Sequence, residues 1–308
     1  MGYSAWSDDA YSSLRSNYSS KSTNQIFTQT AKGKIMPEMD PKDLTVRESR
    51  DSVEHPNSLA IYVSLDETGS MGDIPEYLIK NKLGTLMNTI IDHGVPDPQI
   101  LFGGVGDHYS DHSPLQVGQF ESGNDELDKW LTGIELEANG GGNGGESYGL
   151  AYLVAARHTS IDCFEKRGIK GFLFTIGDEP PHLTFEASAL QKILGYKEAS
   201  DLQMADLLEE ARRMYHVFHI HVNESSHAHT SLVSRWKNLL GENFLIMEDK
   251  DSIAELIATT VALVNGADLD AITSKFSSKT ATAVKGALIN VKNELVKLTA
   301  NNSGVVNL

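Results

Sequence analysis

The sequence predicts a doubly wound α/β fold: a mostly parallel sheet with helices on both faces. Three observations carry that expectation. Apolar runs at Leu59–Leu65, Ile100–Val105, Lys170–Ile176 and Tyr215–Val222 are too continuous for half-exposed strands. Stretches with helical spacing alternate with them, as a sheet wrapped by crossover helices requires. Polar or glycine-rich clusters follow at Asp66–Ser70, Gly106–Asp111, Gly141–Ser147 and Gly177–His182. In open α/β sheets, binding sites form outside the carboxyl ends of the strands, so these clusters are expected to share one site.

The elements follow in order. Residues 1–56 form a compositionally distinct N-terminal segment, rich in Ser, Tyr, Asn and Thr at its start. Met1–Ser22 is too polar to bury much and is expected to be flexible or ordered only by a partner. Gln25–Val46 is expected to wrap the main domain in extended form. Residues 57–265 form the domain itself. Ile74–His93 places Ile74, Leu78, Leu83, Leu86, Met87, Ile90 and Ile91 at helical spacing and stops near Gly94 and Pro96. Leu115–Phe120 alternates like an antiparallel edge strand, and Leu127–Leu136 is a short helix. A helix opens after the glycine-rich loop, and further helices are expected at Gln203–Met214, Ser231–Leu240 and Ser252–Val264, with a short strand at Asn243–Met247. Residues 266–308 form a C-terminal helical tail. Its seam of Val284, Leu288, Val291, Leu295 and Leu298 fits either its own domain or another chain.

Composition narrows the function. The chain has 308 residues, 40% of them hydrophobic, and a mean hydropathy of -0.27, as for a soluble protein. No run approaches the roughly 18–20 apolar residues of a membrane span. The start, MGYSAWSDDAYSS, lacks a secretory signal pattern, and Trp6 breaks the myristoylation pattern. One cysteine, Cys163, excludes an internal disulfide and fits a reducing, cytoplasmic setting. A formal net charge of -16, from 42 acidic and 26 basic residues, argues against nucleic acid as the main partner.

The chemistry concentrates in Asp66-Glu67-Thr68-Gly69-Ser70-Met71-Gly72, directly after the first buried strand. Asp66, Thr68 and Ser70 alternate, so one carboxylate and two hydroxyls can face a common centre. Hard divalent cations prefer such oxygen donors. Because the hydroxyls add no charge, the cation is expected to remain net positive and to attract an external acidic group.

This stretch resembles the Asp-x-Ser/Thr-x-Ser motif of the von Willebrand factor A (vWA) family, part of its metal-ion-dependent adhesion site. The loop NGGGNGGES has five glycines in nine residues but no Gly-Lys-Ser/Thr ending, so it is not a phosphate loop. It resembles a branch of that family with GGGD-x-PE here, found in bacterial proteins and beside atypical kinases. The resemblance places Asn143 at the ligand-like position, with Glu146 as the other candidate; the Thr common in vWA domains is absent. GDEPPH resembles the branch's third motif and implies Asp178 as a group reaching the metal, with His182 on the rim. Asp107 in VGDH has a supporting counterpart. The resemblance covers about Asn57–Val264.

The implied metal ligands are therefore Asp66, Thr68, Ser70, Asn143, Glu146 and Asp178, holding Mg²⁺ or alternatively Mn²⁺ or Ca²⁺. The implied function is a metal-dependent protein–protein adaptor rather than an enzyme. Its partner is expected to offer an acidic side chain, and a AAA+ ATPase or a homo-oligomeric assembly would fit. A structural subunit of a larger particle is the alternative. Metal-assisted hydrolysis would need a general base, for which Asp107, Glu146 or His182 are candidates. The histidines at 216, 219, 221, 227 and 229 lack acidic or cysteine companions at ligand spacing and are expected to be partly buried strand residues, not a zinc site.

Overall fold

The computed structural model describes residues 4–42, 44–69, 71, 73–137, 144–223 and 230–303, with side chains described to residue 292. Ser70, Asn143, His227 and His229 lie outside the described residues, as do the side chains of Leu295 and Leu298.

Six strands form the main sheet: β1 (Leu59–Asp66), β2 (Pro98–Val105), β3 (Leu115–Val117), β4 (Gly171–Gly177), β5 (Tyr215–Val222) and β6 (Phe244–Met247). Their order is β6-β5-β4-β1-β2-β3. All neighbours are parallel except the β2–β3 pair. Every residue of β1, β2 and β4 is buried, which is why these strands read as apolar runs rather than alternating ones. Chain order reverses between β1 and β4, so the switch point of the sheet lies where Asp66 ends β1 and Gly177 ends β4.

The helices fall in two groups. Leu83–Asp92 packs on Ile253–Val264, which packs in turn on the long helix Ser278–Ser303. Gly149–Arg157 packs on Met204–Arg212. This is the doubly wound architecture expected. The predicted helix Ile74–His93 is Asp73–Tyr77, a wider π turn at Leu78–Lys82, then Leu83–Asp92. Small features not anticipated include the helices Asp162–Glu165 and Ala187–Leu194, a parallel pairing of Arg47–Ser49 with Thr159–Ile161, and an antiparallel pairing of Thr184–Phe185 with Leu202–Gln203.

The N-terminal expectation is corrected. Asp8–Tyr18 is a helix, capped by the Ser7 side chain, and Tyr11 is buried in the domain core. The Tyr11 hydroxyl donates to the Ile79 carbonyl (3.3 Å). Its ring lies where a side chain on Gly84 would stand, 2.7 Å from the position of an added Cβ. The Tyr18 hydroxyl donates to Asp128 (2.8 Å), and Ser7 N–H donates to Asn124 Oδ1 (2.9 Å). A few aromatic anchors thus secure a segment whose average composition is polar. The segment beyond it is helical in part rather than extended, at Thr23–Ile26 and Thr28–Lys32, and buries Ile26, Phe27 and Met39.

The C-terminal alternative resolves inward where side chains are described. Val284 and Leu288 are fully buried, and Val291 nearly so, within the domain's own core. We expect Leu288→Ala to destabilise the monomer by about 2–5 kcal/mol, and removal of residues 278–308 to lower its melting temperature sharply. Unchanged melting in both variants would contradict this packing.

The strand histidines are buried as expected. His219 and His221 are buried and His216 half-buried. Burial pushes the His216 imidazole down to about 4, with Lys170 adding to the effect. Its unfolded value is about 6.5. Below that value the unfolded chain binds the proton first, so stability falls as pH drops from 6.5 through about 4. The contribution at pH 5 is about 2 kcal/mol, taking ~1.4 kcal/mol per unit. The melting-temperature gap between pH 7 and pH 5 should therefore narrow in His216→Phe; an unchanged gap would contradict this assignment.

Candidate metal centre at the switch point

The loops at the carboxyl edge are stitched together by main-chain hydrogen bonds. Glu67 N–H donates to the Val105 carbonyl (3.1 Å), and Glu137 N–H donates to the Glu67 carbonyl (2.9 Å). Ser147 N–H donates to Gly106 O (3.1 Å), Glu146 N–H to Pro180 O (2.9 Å), and His182 N–H to Glu146 O (2.9 Å). The described parts of the four polar clusters read from the sequence are therefore joined at the switch point.

Asp66 is at its centre, only 1% exposed. Its Oδ1 accepts from the Thr68 backbone N–H (3.0 Å) and the Thr68 hydroxyl (2.6 Å). Its Oδ2 accepts from the Tyr148 hydroxyl (2.8 Å). Gly177 makes this possible, because a Cβ there would stand 2.0 Å from the Tyr148 hydroxyl and 2.7 Å from Asp66 Oδ2. Tyr148 in turn lies against Trp236, whose ring stacks on His219 at 3.7 Å. The Trp236 indole N–H donates to the Glu179 carbonyl (3.2 Å), so the aromatic wall also holds the third loop.

Of the predicted ligands, Asp66, Thr68 and Glu146 are buried and Asp178 is half-buried. Burial pushes the Asp66 carboxyl up to about 7, with the Asp178 charge adding to it against the Thr68 and Tyr148 hydrogen bonds. Glu146 is pushed up to about 10, first by burial and then by Asp66, Asp111, Asp107 and Glu179. Its Oε2 is buried without a hydrogen-bond partner. A buried, unpartnered carboxylate oxygen on a residue that feels the Asp66 charge suits a hard divalent cation, so the described residues fit the group the sequence implied.

One expectation changes. The first motif carries a single usable carboxylate, but the converging loops add several more around Asp66. The largest charge effects on Asp66, Glu67 and Glu146 come from other carboxylates. One divalent ion at Asp66 would not leave this surface strongly positive.

Sequence reasoning missed Tyr148, Glu67, His108 and Asp111. His108 lies inward, its Nδ1 against Ser147 Oγ (2.7 Å) and its Nε2 against Glu186 (3.3 Å). Asp107 Oδ1 accepts from His182 Nε2 (2.9 Å) and Tyr109 N–H (3.0 Å), and Oδ2 from the Ser110 hydroxyl (2.7 Å). Burial opposes ionisation of Asp107, but Tyr109, Ser110 and His182 together hold its carboxyl below the ordinary value. Donor atoms of Asp107, His108 and His182 lie within 4.8 Å of one another. Those of Asp107 and His108 are already hydrogen-bonded, so this cluster organises the rim. Its advance signals were Asp107 in VGDH and His182 in PPH; His108 carried none.

The sequence matches no protein-family model and no curated protein. Among solved structures, the pilus adhesin SpaC from Lactobacillus rhamnosus GG in its open conformation is similar over 70% of this chain and 31% of its own, with 10% identity and a TM-score of 0.47. Proximal thread matrix protein 1 from the mussel byssus is similar over 68% of this chain and 46% of its own, with 12% identity and a TM-score of 0.41. A von Willebrand factor type A structure from Catenulispora acidiphila is similar over 74% of this chain and 51% of its own, with 13% identity and a TM-score of 0.36. The chain spans less than two thirds of the length of each. The likeness is one of fold alone.

Proposed function

We propose that the chain is a metal-dependent protein-binding module of the vWA type, in the branch whose motifs its loops resemble. The observation that carries this reading is the Asp66 carboxylate, buried at the switch point between Thr68 and Tyr148, whose charge raises the Glu146 carboxyl, itself left with a buried, unpartnered oxygen. Asp66, Thr68 and Ser70 would hold Mg²⁺, Mn²⁺ or Ca²⁺, completed by Asn143 or Glu146 and by Asp178. The cation would supply a Lewis-acidic contact for an acidic side chain of a protein partner. Tyr148 and Thr68 orient the Asp66 carboxylate for that role, and the Asp107–His182 pair holds the neighbouring loop in place. A AAA+ ATPase is the partner class that the motif resemblance favours, in the cytoplasm. The module is read as a binder, not an enzyme.

The alternative of a structural subunit drew on tails free to order on neighbours. Tyr11, Val284 and Leu288 are buried in this chain's own core, which withdraws that support. Among the described residues, no helix is long and apolar enough to cross a membrane.

In titration calorimetry, Asp66→Ala should weaken Mn²⁺ binding at the Asp66 site by more than the roughly 10–100-fold that loss of an outer-shell partner costs. Comparing Asn143→Ala with Glu146→Gln decides the second-loop ligand: the variant that loses affinity identifies it. A pH test is independent of the partner. Because the folded-state Asp66 carboxyl is raised to about 7, the unfolded chain ionises first, and metal-free stability falls as pH rises from about 4 through about 7. Asp66→Asn removes that loss, so in chelator its melting temperature should fall less than wild type between pH 5 and pH 8. Equal falls would contradict the burial of an ionisable Asp66.

A further inference from the structure

We propose that the chain holds a second cation, of the Ca²⁺ class, at a separate site built on Glu67, Asp111 and Glu137. The proposal goes beyond the reading of Asp66 and does not depend on it. Successive residues leaving a strand point to opposite faces. Asp66 turns toward β4 and Tyr148, whereas Glu67 turns toward β2 and β3, where Gln116 donates its amide to Glu67 Oε2.

Glu67 is fully buried, and its Oε1 has no hydrogen-bond partner. The chain makes room for that carboxylate with two glycines. A Cβ on Gly104 would stand 2.2 Å from Glu67 Oε2. One on Gly106 would stand 3.2 Å from Glu67 Oε1 and 2.5 Å from Asp111 Oδ2, so both carboxylates converge on the same small residue. Glu137 is fixed alongside by its backbone bond to the Glu67 carbonyl (2.9 Å), and its Oε2 is also buried without a partner. Its Oε1 meets His112 Nδ1 at 3.0 Å, leaving an imidazole as the one cationic side chain in contact with these three carboxylates among the described residues.

Buried charges persist when paired or when they coordinate a metal. Unpartnered carboxylate oxygens with no sulfur donor and little nitrogen select a hard cation, and flexible, carboxylate-rich spheres suit Ca²⁺ better than the stricter octahedron of Mg²⁺. The three carboxylates stand more widely than the Asp107–His108–His182 donors. Closing the site therefore calls for the three carboxylates to draw together, and Asp111, half-buried on a loop, would do so while its Oδ2 accepts from the Asp107 N–H (2.6 Å) and its Oδ1 from the Ser110 hydroxyl (3.1 Å).

The test is Ca²⁺ stoichiometry by equilibrium dialysis on the full chain, comparing wild type with Asp66→Ala, Glu67→Gln and Glu137→Gln. Each variant is checked for a cooperative melt, and Glu137→Gln stands in where Glu67→Gln does not fold. Two equivalents in wild type, with one lost in Asp66→Ala and the other lost in Glu67→Gln or Glu137→Gln, are expected. A single equivalent abolished only by Asp66→Ala overturns the second site and leaves the first. A single equivalent abolished by Glu67→Gln but kept in Asp66→Ala supports the second site and removes the first. Two equivalents untouched by Glu67→Gln and Glu137→Gln overturn the proposal.

Discussion

The burial of the Asp66 carboxylate where the strand order reverses is the constraint on which the carboxyl edge of the sheet depends. A carboxylate at that position, 1% exposed, needs donors. Thr68 and Tyr148 provide them. Tyr148 reaches Asp66 only because Gly177 has no side chain and because the loop before Gly149–Arg157 is tied to Gly106 and Pro180. Removing any of these supports would expose or strand the charge, so the loops behave as one unit.

That unit concentrates negative charge. Asp66, Glu67, Asp111 and Glu146 are all held above their ordinary values, burial being the first cause in each and neighbouring carboxylates adding to it. Protons or cations must balance such a surface, and the two alternatives couple any ligand event at the edge to pH. An acidic ligand would meet repulsion at this edge unless bound cations outweighed the carboxylates.

The fold was legible because its strands are buried on both faces. The runs Leu59–Leu65 and Tyr215–Val222 announce themselves by unbroken apolar content, and Tyr215–Val222 coincides with the strand observed. The polar loops were legible because they follow such strands. Glu67 was not, since its neighbour Asp66 absorbs the attention of the motif and only the side-to-side alternation of the chain separates their environments. Tyr148 falls where the sequence opens a helix after the glycine-rich loop; its hydroxyl matters only through Asp66, 82 positions away. The N-terminal helix was hidden for another reason. Tyr11 and Phe27 carry burial that an average over a polar segment dilutes, and the receiving slot is a glycine on a different helix.

The stacking of Trp236 on His219 gives the molecule an optical handle. Trp236 is fully buried, its indole N–H is fixed to the Glu179 carbonyl, and its ring lies 3.7 Å from an imidazole that burial keeps neutral. A protonated imidazole quenches indole emission far more than a neutral one, so this neutral imidazole spares the tryptophan that source of quenching. Movement of the third loop would change the polarity at the indole nitrogen directly. Emission wavelength and yield therefore register the posture of the carboxyl edge without any attached dye, against a background of only two other tryptophans, Trp6 and Trp130.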